Sequence, residues 1–510
     1  MTAPAGVEVR EQPYGVRPAL VALLLAMLLA TLDNLILSAA MPTVISELDG
    51  LALLAWVVTS YTLAMAVTTP LWGKFGDMYG RKGVFALSIV VFLVGSALAG
   101  AAGSMEQLVV FRAVQGVGAG GLMVGALAII ADIVPPRERG RYQGMMSMVM
   151  GVAMIGGPIA GGFVTDVLGW RWAFFVNIPL GLVALVLTFT MLDLQKRRPA
   201  LARIDYLGAV TLSVAISAVV LVTTWGGREI PWTSPEALGL IGLAVAGTVA
   251  FVLVERRAAE PVIPLSVFRN RNFSLITVVG FAFGFGMTSV LTFVPLFQQA
   301  VQGASPTSSG FLLLPVFGAL VVTNVVVGRY MSRTGRYRPV VVLGTVLILA
   351  GLALLATMGV GTGFWLSAVY LAIFGVGMGS MMQTTVLISL TSVDPQHIGV
   401  ASASATLFRS IGGAVGVAMM GAVFADRVQA VVTERIGPAG GAEAGSVQLD
   451  AASLQAVTEP VRVAYEHAVA SGSVLVFLLC IIAAVAALTA AVFIREVPLP
   501  GGTEPANRGE

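Results

Sequence analysis

Two oppositely charged residues stand inside stretches of the sequence that are otherwise suited to lipid. Asp33 lies in the apolar run LDNLILSAAMP, residues 32–42, and Arg112 opens the run RAVQGVGAGG, residues 112–121. A charged side chain at bilayer depth costs a few kcal/mol and by default indicates a functional site. Because nearby charges set the pKa of a carboxyl group, Asp33 could alternate between a proton and either Arg112 or a cationic ligand. Proton and ligand would then compete for one carboxylate, which is the requirement for exchange.

The depths of the two residues agree with such a pairing. At a rise of 1.5 Å per residue, Asp33 lies about 22 Å from the membrane surface at which the first predicted helix begins. Arg112 lies about 8 Å from the opposite surface, at which the fourth predicted helix begins, so the two residues are expected at a similar depth. A static ion pair that only ties the two helices together is the alternative. Asn34, Gln115 and Gln383 could add polar contacts, or they could be purely structural.

Glycine and charge combine in the stretch GKFGDMYGRK, residues 73–82. Gly73 and Gly80 permit a tight turn, while Asp77, Arg81 and Lys82 place charge at the ends of helices. Such a cluster could close one end of a helix bundle through pairs that break when the bundle moves. A loop whose basic residues only set the orientation in the membrane is the alternative.

A second glycine-rich stretch, GVAMIGGPIAGGF at residues 151–163, falls inside the fifth predicted helix. Small residues let helices approach closely, and a proline frees a backbone carbonyl and bends the axis. The stretch therefore predicts a hinge or a tight seam between bundles, with ordinary helix packing as the alternative. The candidate hinge residues are Gly151, Gly156, Gly157, Pro158, Gly161 and Gly162.

Aromatic and sulfur-containing side chains could form an adaptable apolar wall for a flat lipophilic ligand. The candidates are Phe281 and Phe285 on the ninth predicted helix, with Met382 and Gln383 on the twelfth. Phenylalanines at positions 281, 283 and 285 cannot all share one face of a helix. Packing in the core or against lipid is therefore the alternative.

About fourteen membrane-spanning helices are expected to position these residues. The chain has 510 residues, of which 57% are hydrophobic and 11% charged, and its mean hydropathy is +0.92, which excludes an ordinary soluble protein. At roughly 20 apolar residues per crossing, the predicted spans are 17–40, 53–73, 83–102, 107–131, 142–166, 173–194, 205–225, 237–254, 274–298, 309–328, 339–359, 364–391, 399–424 and 472–494.

The distribution of basic residues predicts the orientation. An even number of spans puts both termini on one side, and 23 of the 29 lysines and arginines then fall on that side. Cytoplasmic loops carry such an excess, so both termini are expected in the cytoplasm. The basic residues that do not fall on that side are Arg112, Arg171, Arg228, Arg427, Arg435 and Arg462.

Only three lysines are present in the sequence, which suggests a GC-rich bacterial genome and a place in the bacterial cytoplasmic membrane.

An internal repeat predicts how the spans are grouped. Residues 116–140 resemble 375–399 without gaps, and the loop 73–82 resembles 328–337, in both cases at an offset of eight helices. Two six-helix bundles with two inserted helices explain this offset, and a transporter builds two rocking halves in this way. The predicted regions are a tail at 1–16, a bundle at 17–198, the inserted helices at 199–260, a second bundle at 261–494 and a tail at 495–510. The second bundle includes an outer segment at 427–471, in which Pro460 interrupts an amphipathic helical pattern.

Several classes of function are excluded by what the sequence lacks. The single Cys480 forms no disulfide within the chain, and no metal motif is present. The two histidines fall in predicted loops, and no embedded catalytic group or phosphate loop is recognisable, so an enzyme is not expected. We expect no cofactor other than protons as the coupling ion, no metal and no nucleic-acid partner. The expected partners are the lipid bilayer and small lipophilic molecules, and the expected functional unit is a monomer.

These stretches resemble the major facilitator superfamily, specifically its fourteen-helix drug:proton antiporters, over nearly the whole chain. The loop at 73–82, the helix-1 stretch at 32–42, the arginine stretch at 112–121 and GGPIAGG at 156–162 carry the resemblance, as do WRWAFFVNIP at 170–179 and RSIGGAVG at 409–416. One departure is Asn34, where this family often has threonine.

The resemblance implies roles for the candidate residues. It implies that Asp33 and Arg112 form the coupling and substrate site, that Asp77 and Arg81 act in a gate, and that the glycines at 156–162 form an antiport hinge. It also implies export of lipophilic drugs or antibiotics, cationic or weakly charged, by alternating access. An exporter of one endogenous metabolite or lipid on the same all-α major facilitator scaffold is the alternative.

Overall fold

The chain is helical almost throughout the part that its structure describes. The computed structural model describes residues 16–48, 53–135, 138–192, 194, 205–227, 230–303, 313–445 and 459–497. The long helices are α1 (Val16–Leu48), α2 (Leu54–Tyr79), α3 (Arg81–Gly100), α4 (Met105–Ile133), α5 (Arg139–Leu168), α6 (Asn177–Met191), α7 (Tyr206–Trp225), α8 (Pro235–Glu255), α9 (Arg271–Val301), α10 (Leu314–Thr334), α11 (Arg338–Leu355), α12 (Phe364–Thr391), α13 (Ile398–Gly445) and α14 (Glu459–Val492). The predicted all-α fold class is confirmed.

Local chemistry fixes where several helices begin and end. The Ser104 side chain accepts a hydrogen bond from the Gln107 backbone N–H at the start of α4, and Asp205 caps α7 in the same way through the Gly208 N–H. Such caps satisfy backbone donors that have no partner inside the helix. Gly80, with a φ of 98°, makes the sharp break between α2 and α3, which a residue with a Cβ would adopt only with strain.

In the described part of the chain, twelve helices are long and apolar enough to cross a membrane. The short helix Trp172–Phe175 and α6 count together as one of them. Helices α2 and α5 are not among the twelve, because they do not meet the criterion of length and apolar composition. Both carry polar residues near the same end of the molecule: Lys74 and Asp77 in α2, and Arg139 and Arg141 in α5. The prediction of fourteen crossings therefore stays a prediction.

Part of the predicted outer segment, 427–471, is helical where the structure describes it. Helix α13 continues to Gly445, with a kink at Gly437 where φ is 76°. The structure describes α14 from Glu459 onward, so this helix reaches back beyond the predicted span at 472–494. The residues before Glu459 lie outside the described residues, so the interruption expected at Pro460 stays a prediction. Residues 446–458 and the two terminal tails, 1–15 and 498–510, lie outside the described residues.

Helix packing repeats along the chain with the offset of eight helices. Helix α4 packs on α2 and α3, as α12 packs on α10 and α11. Helix α1 packs on α5 and α6, as α9 packs on α13 and α14. The most extensive contacts between the set α1–α6 and the set α9–α14 are α5 with α10 and α2 with α13, which the same offset relates.

The two remaining long helices lie beside one of these contacts. Helices α7 and α8 pack on each other, and α7 also packs on α2 and α13. In the most apolar part of α8 only 17% of the residues are buried, against 78% in α4. Because the exposed residues of α8 are mostly apolar, their expected surroundings are lipid.

Candidate functional site

Close helix approach at the glycines of α4 places Arg112 in the interior of the first set. A Cβ at Gly116 would collide with the Tyr61 backbone of α2, and a Cβ at Gly120 would lie 2.9 Å from the Met65 carbonyl oxygen. Helices can approach this closely only where side chains are absent. Arg112 lies one turn before Gly116 on α4 and is completely buried.

Arg112 forms an ion pair with Asp33 across α4 and α1. The Arg112 Nη1 atom lies 2.6 Å from Asp33 Oδ2, and the two side chains are 0% and 1% exposed. The Arg112 Nη2 atom donates to Asn34 Oδ1 at 2.9 Å, and Gln115 Nε2 donates to Asp33 Oδ1 at 2.7 Å. Four residues singled out from the sequence therefore meet in one network.

Two further residues contact the Asp33–Arg112 pair directly, and a third, Ser96, accepts a hydrogen bond from one of them. The Asn177 side-chain amide on α6 donates to Asp33 Oδ1 at 2.8 Å and to Ser96 Oγ at 3.0 Å. The guanidinium carbon of Arg112 lies 4.1 Å from the centre of the Tyr61 ring, a distance that gives an attractive cation–π contact. Sequence reasoning missed both residues as site residues, although Asn177 lies in the stretch WRWAFFVNIP that indicated the family.

The network leaves the carboxylate with three side-chain donors and little room for water. A buried charge pair of this kind is strongly destabilised when one partner is removed, by about 3–5 kcal/mol. Within the described part of the chain, Arg112 Nε is the one nitrogen of the guanidinium without a hydrogen-bond partner. The electrostatic state of Asp33 is therefore coupled directly to the position of Arg112.

A cavity of about 340 Å³ lies between the two helix sets, beside this network. Its volume falls in the range of about 300–1,000 Å³ that is typical of small-molecule sites. Asn34 is the network residue that lines it, so Asp33 and Arg112 themselves stand behind that wall. The expectation that both charges face an aqueous cavity is not met in this conformation. The remaining lining residues are Ala30, Thr31, Leu35, Met65, Met123, Gly151, Met287, Phe317, Leu320, Val321 and Met382.

The wall of this cavity differs from the predicted one. Met382 is part of it, but Phe281, Phe285 and Gln383 are not among its lining residues. A Cβ at Gly412 or Gly416 of α13 would collide with the backbone of Phe281 or Phe285, respectively. This face of α9 is therefore used for packing. Methionines from α2, α4 and α9 stand in their place, a residue type that also suits ordinary helix packing and so gave no signal.

Asp77 joins the two helix sets at one end of the molecule. This end, where α2 ends and α3 begins, carries Lys74, Arg81 and Lys82 and is hereafter the basic end. The Asp77 carboxylate accepts hydrogen bonds at 3.1 Å from the backbone N–H groups of Gly399 and of Val400, the second and third residues of α13. A helix N-terminus attracts an anion in this way.

The other gate residues act within the first set. The Arg81 guanidinium contacts Asp77 at 2.8 Å and Asp132 at 2.5 Å, and the Lys82 ammonium donates to the Leu192 carbonyl oxygen at 2.5 Å. Close packing supplements the Asp77 contact, because a Cβ at Gly73 would lie only 2.6 Å from the Gly399 carbonyl oxygen of α13. Asp77 and Gly73 therefore join α2 to α13 at the basic end.

The glycines of α5 fall into two groups. A Cβ at Gly151 would lie 2.5 Å from Val321 of α10, and one at Gly157 would lie 2.5 Å from Leu35 of α1. Gly156 and Gly162 face open space, and Gly161 is buried. The side chain of Pro158 lies outside the described residues. Gly151 thus stands at a contact between the two sets, where a hinge was predicted.

Metal binding has no visible place in this arrangement. Over the ranges that the structure describes, no group of three or more His, Cys, Asp or Glu side chains could hold a metal ion. The chemistry available at the site consists of protonation of a carboxylate, charge pairing and apolar contact.

Comparison with known proteins agrees with this architecture. The sequence pattern of the Major Facilitator Superfamily matches residues 23–417. The chain is 34% identical over 417 residues to "Multidrug transporter protein MdtP" of Bacillus subtilis, covering 82% of this chain and 76% of the relative. It is 35% identical over 404 residues to "Multidrug resistance protein 3" of the same organism, covering 79% and 78%.

A solved structure shows the same fold at much lower sequence identity. The proton:xylose symporter XylE superposes with a TM-score of 0.60 at 14% identity, over 94% of this chain and 96% of that one. The match to the family pattern, the two helix sets and the central cavity agree with one another. The chain belongs to the Major Facilitator Superfamily and is a multi-pass membrane transporter, not an enzyme.

Proposed function

We propose that the protein exports lipophilic compounds, cationic or weakly charged, across the bacterial cytoplasmic membrane in exchange for protons. One observation carries this proposal: a buried Asp33–Arg112 pair reaches an apolar cavity between the two helix sets through Asn34. Two relatives named as a multidrug transporter and a multidrug resistance protein support an efflux function.

The lining of the cavity supports the lipophilic part of the proposal. Among the described residues, those that line the central cavity include no charged side chain, and methionine and phenylalanine supply much of its surface. Such a wall adapts to different apolar bodies and holds them without a specific polar pattern. The polar atoms of Asn34 and Thr31 on one side would orient a ligand that carries a weak or single positive charge.

Exchange would follow from competition for Asp33. When Asp33 is ionised, Arg112 and a cationic ligand both seek its carboxylate, and a ligand that enters the cavity displaces Arg112 from Asp33 and Asn34. A proton on Asp33 removes this attraction, so Arg112 turns to Asn34 and Gln115 and the ligand is released. Each conformational cycle would therefore carry either a proton or a ligand, as antiport requires.

Alternating access would use the closed basic end. The excess of basic residues at this end supports its assignment to the cytoplasm, and the contact of Asp77 with α13 would then close the cytoplasmic side. We propose that the bundles at 17–198 and 261–494 rock about α5 when this contact breaks. Fourteen crossings with both termini in the cytoplasm, and a functional monomer, belong to the same proposal.

The experiment uses the full chain in liposomes that are acidic inside and contain DNA, and it follows uptake of ethidium by its fluorescence. We expect uptake that depends on the pH gradient for the wild type and none for Asp33→Asn. Asp166→Asn, which alters an exposed carboxylate on α5, should behave as the wild type. Uptake by Asp33→Asn at the wild-type rate would refute the coupling role. No uptake by any of the proteins would favour a narrow metabolite or lipid substrate over a multidrug one.

A further inference from the structure

A second apolar cavity lies outside the central one, between α7, α8 and α13. Its volume is about 260 Å³, and it shares no lining residue with the central cavity. The segment that follows α8 closes it from the basic end. Lining residues from each of these elements include Leu212, Val219, Phe251, Ile263, Phe268 and Phe408. Thr248 lines the cavity and is also exposed on the outside of α8, which brings the cavity close to the surrounding lipid.

Two carboxylates stand at the basic-end edge of this cavity. Glu255, the last residue of α8, is only 4% exposed, and its Oε1 atom accepts from the backbone N–H groups of Val262 at 3.1 Å and Ile263 at 3.3 Å. Asp205 caps α7 through its Oδ1 atom, which accepts from the Gly208 N–H at 2.8 Å. The second oxygen of each carboxylate, Glu255 Oε2 and Asp205 Oδ2, is buried and has no hydrogen-bond partner in the described part of the chain.

The two carboxylates face each other and adjoin the apolar wall. A Cβ at Gly208 would collide with the Asp205 carboxylate and would lie 3.1 Å from Glu255 Oε1. Glu255 follows Phe251 by four residues and so lies on the same face of α8. Ile263, whose N–H binds Glu255, itself lines the cavity. Ile263 therefore links the acidic pair to the cavity, whose lining residues do not include the two carboxylates themselves.

The surrounding charges leave this site negative. The Lys74 ammonium on α2 forms its ion pair with Glu260 Oε2, at 3.1 Å, and not with either of the two carboxylates. Arg256 and Arg257 are exposed, and no ion pair of the described residues includes Asp205 or Glu255. Buried carboxylate oxygens in folded proteins nearly always have a partner, so this pair requires a positively charged or protonated group.

We infer that this cavity is a second binding site, which takes a lipophilic cation from the bilayer leaflet at the basic end. The apolar body of the cation lies among the side chains of α7, α8 and α13, and its charge lies beside Asp205 and Glu255. A lipid acyl chain would fill the cavity but would leave both carboxylates without a partner. The role of this second site in recruiting substrate rests on the proposed export function. Binding of the cation to the site is tested separately, without measuring transport.

The test measures binding of radiolabelled tetraphenylphosphonium to the purified full chain in detergent by equilibrium dialysis. We expect the double variant Asp205→Asn/Glu255→Gln to lose roughly half of the bound cation, because it removes the charge of one of two sites. Asparagine still caps α7, and glutamine still accepts from the 262–263 backbone. Val219→Phe, which fills the cavity, should cause a similar loss.

Control variants separate this site from the central one. Asp166→Asn, which changes an exposed carboxylate on α5 that does not line this cavity, should bind as the wild type. Asp33→Asn should lose only the central share of the bound cation, so failure of the central site and failure of this site are distinguishable. Each variant is first shown to be helical by circular dichroism and monodisperse by gel filtration.

Three results would overturn the inference. The first is wild-type binding in both the carboxylate double variant and Val219→Phe. The second is loss of binding in Val219→Phe alone, which would show an apolar site that does not recognise charge. The third is no tetraphenylphosphonium bound by the wild type.

Discussion

Asp33 connects three helices at a single point. Its carboxylate on α1 receives donors from Arg112 and Gln115 of α4 and from Asn177 of α6. A proton on this carboxylate would weaken all of these contacts together, because hydrogen bonds to a charged group are roughly twice as strong as those between neutral groups. Protonation of one residue is thereby able to change the packing of a whole helix set.

The geometry of the Arg112 guanidinium predicts that lysine cannot replace it. The Nη1 and Nη2 atoms reach Asp33 and Asn34 separately, whereas an ammonium group is a single point charge. Arg112→Lys loses at least one charge-assisted hydrogen bond, worth about 1.5–3 kcal/mol, and gradient-driven ethidium uptake in liposomes should fall about tenfold or more.

The control for this prediction is Arg171→Lys. Arg171 is half-exposed and contacts Glu47 at 3.1 Å, so uptake should change little, as is usual for exposed ion pairs. Uptake by Arg112→Lys at the wild-type rate would contradict a role for the two-pronged contact.

Residue type predicted part of the network, and helix packing determined the rest. Asp33, Asn34, Arg112 and Gln115 are recognisable because charge or amide groups in an apolar helix need a reason. Asn177 stands at the first residue of α6, where an amide is ordinary. Tyr61 carries no charge, and its contact with Arg112 depends on how closely α2 approaches α4, which the local sequence does not encode.

At the scale of elements, the contact between α2 and α13 is the proposed gate. Asp77 binds the N-terminus of α13, and Gly73 lets the two backbones meet. Both contacts lie at the basic end. Helices α5 and α10 form a separate contact between the same two helix sets. Separation of α2 from α13 would open the basic end.

Gly73 and Gly76 provide a matched pair of substitutions. A Cβ at Gly73 would lie 2.6 Å from the Gly399 carbonyl oxygen, while a Cβ at Gly76 would meet only the Arg81 side chain at 3.6 Å. Alanine stabilises the helix itself at either position, by about 0.4–1 kcal/mol. Gly73→Ala should therefore reduce liposome uptake strongly while Gly76→Ala does not, and equal rates for the two variants would contradict the close-contact gate.

Asp77→Asn should shift the protein toward a state that is open at the basic end. The charge of Asp77 at the α13 N-terminus contributes about 0.3–1 kcal/mol, and up to about 2 kcal/mol when buried. Spin labels at Tyr79→Cys and Gln396→Cys, both exposed positions flanking the contact, would report this shift as a larger population of long distances. The background is Cys480→Ala, because Cys480 is the only cysteine of the chain.

The control for the gate experiment is Asp394→Asn. Asp394 is exposed and lies just before α13, so its loss changes charge near the gate without removing the contact. An unchanged distance distribution in Asp77→Asn would show that the carboxylate does not hold the gate.

The positions of the helices could be predicted from apolar runs in the sequence, whereas the residues at which several helices end could not. Each predicted span lies on a long helix of the described chain, because about 20 apolar residues are needed to cross a bilayer. Helices α1, α13 and α14 extend beyond their predicted spans, to Leu48, to Gly445 and back to Glu459. Such extensions leave the bilayer and need no hydrophobic run, so hydropathy does not reveal them.

At the scale of the molecule, the two helix sets have the same packing but different chemistry. The contacts of α5 with α10 and α2 with α13 are related by the repeat, whereas the charged network of the described residues lies in the first set. The residue that corresponds to Arg112 is Leu371, which is buried on α12. One set would therefore bind the proton, and both would form the cavity.

The inserted helices α7 and α8 lie beside the contact between α2 and α13. Helix α7 packs on both α2 and α13, and Lys74 of α2 is paired with Glu260 just after α8. A movement that separates α2 from α13 would also change the second cavity, because Phe408 of α13 lines it. Sequence alone gave no role for these helices, since their acidic residues stand at helix ends, where capping is the ordinary explanation.

The most direct test of the account measures proton movement driven by substrate. The full chain is placed in liposomes with equal pH on both sides and trapped pyranine, and ethidium is added outside. Exchange at Asp33 predicts that the interior becomes alkaline as the dye enters, and that Asp33→Asn shows no pH change. Dye entry without a pH change in the wild type, or an unchanged response in Asp33→Asn, would contradict proton exchange at this residue.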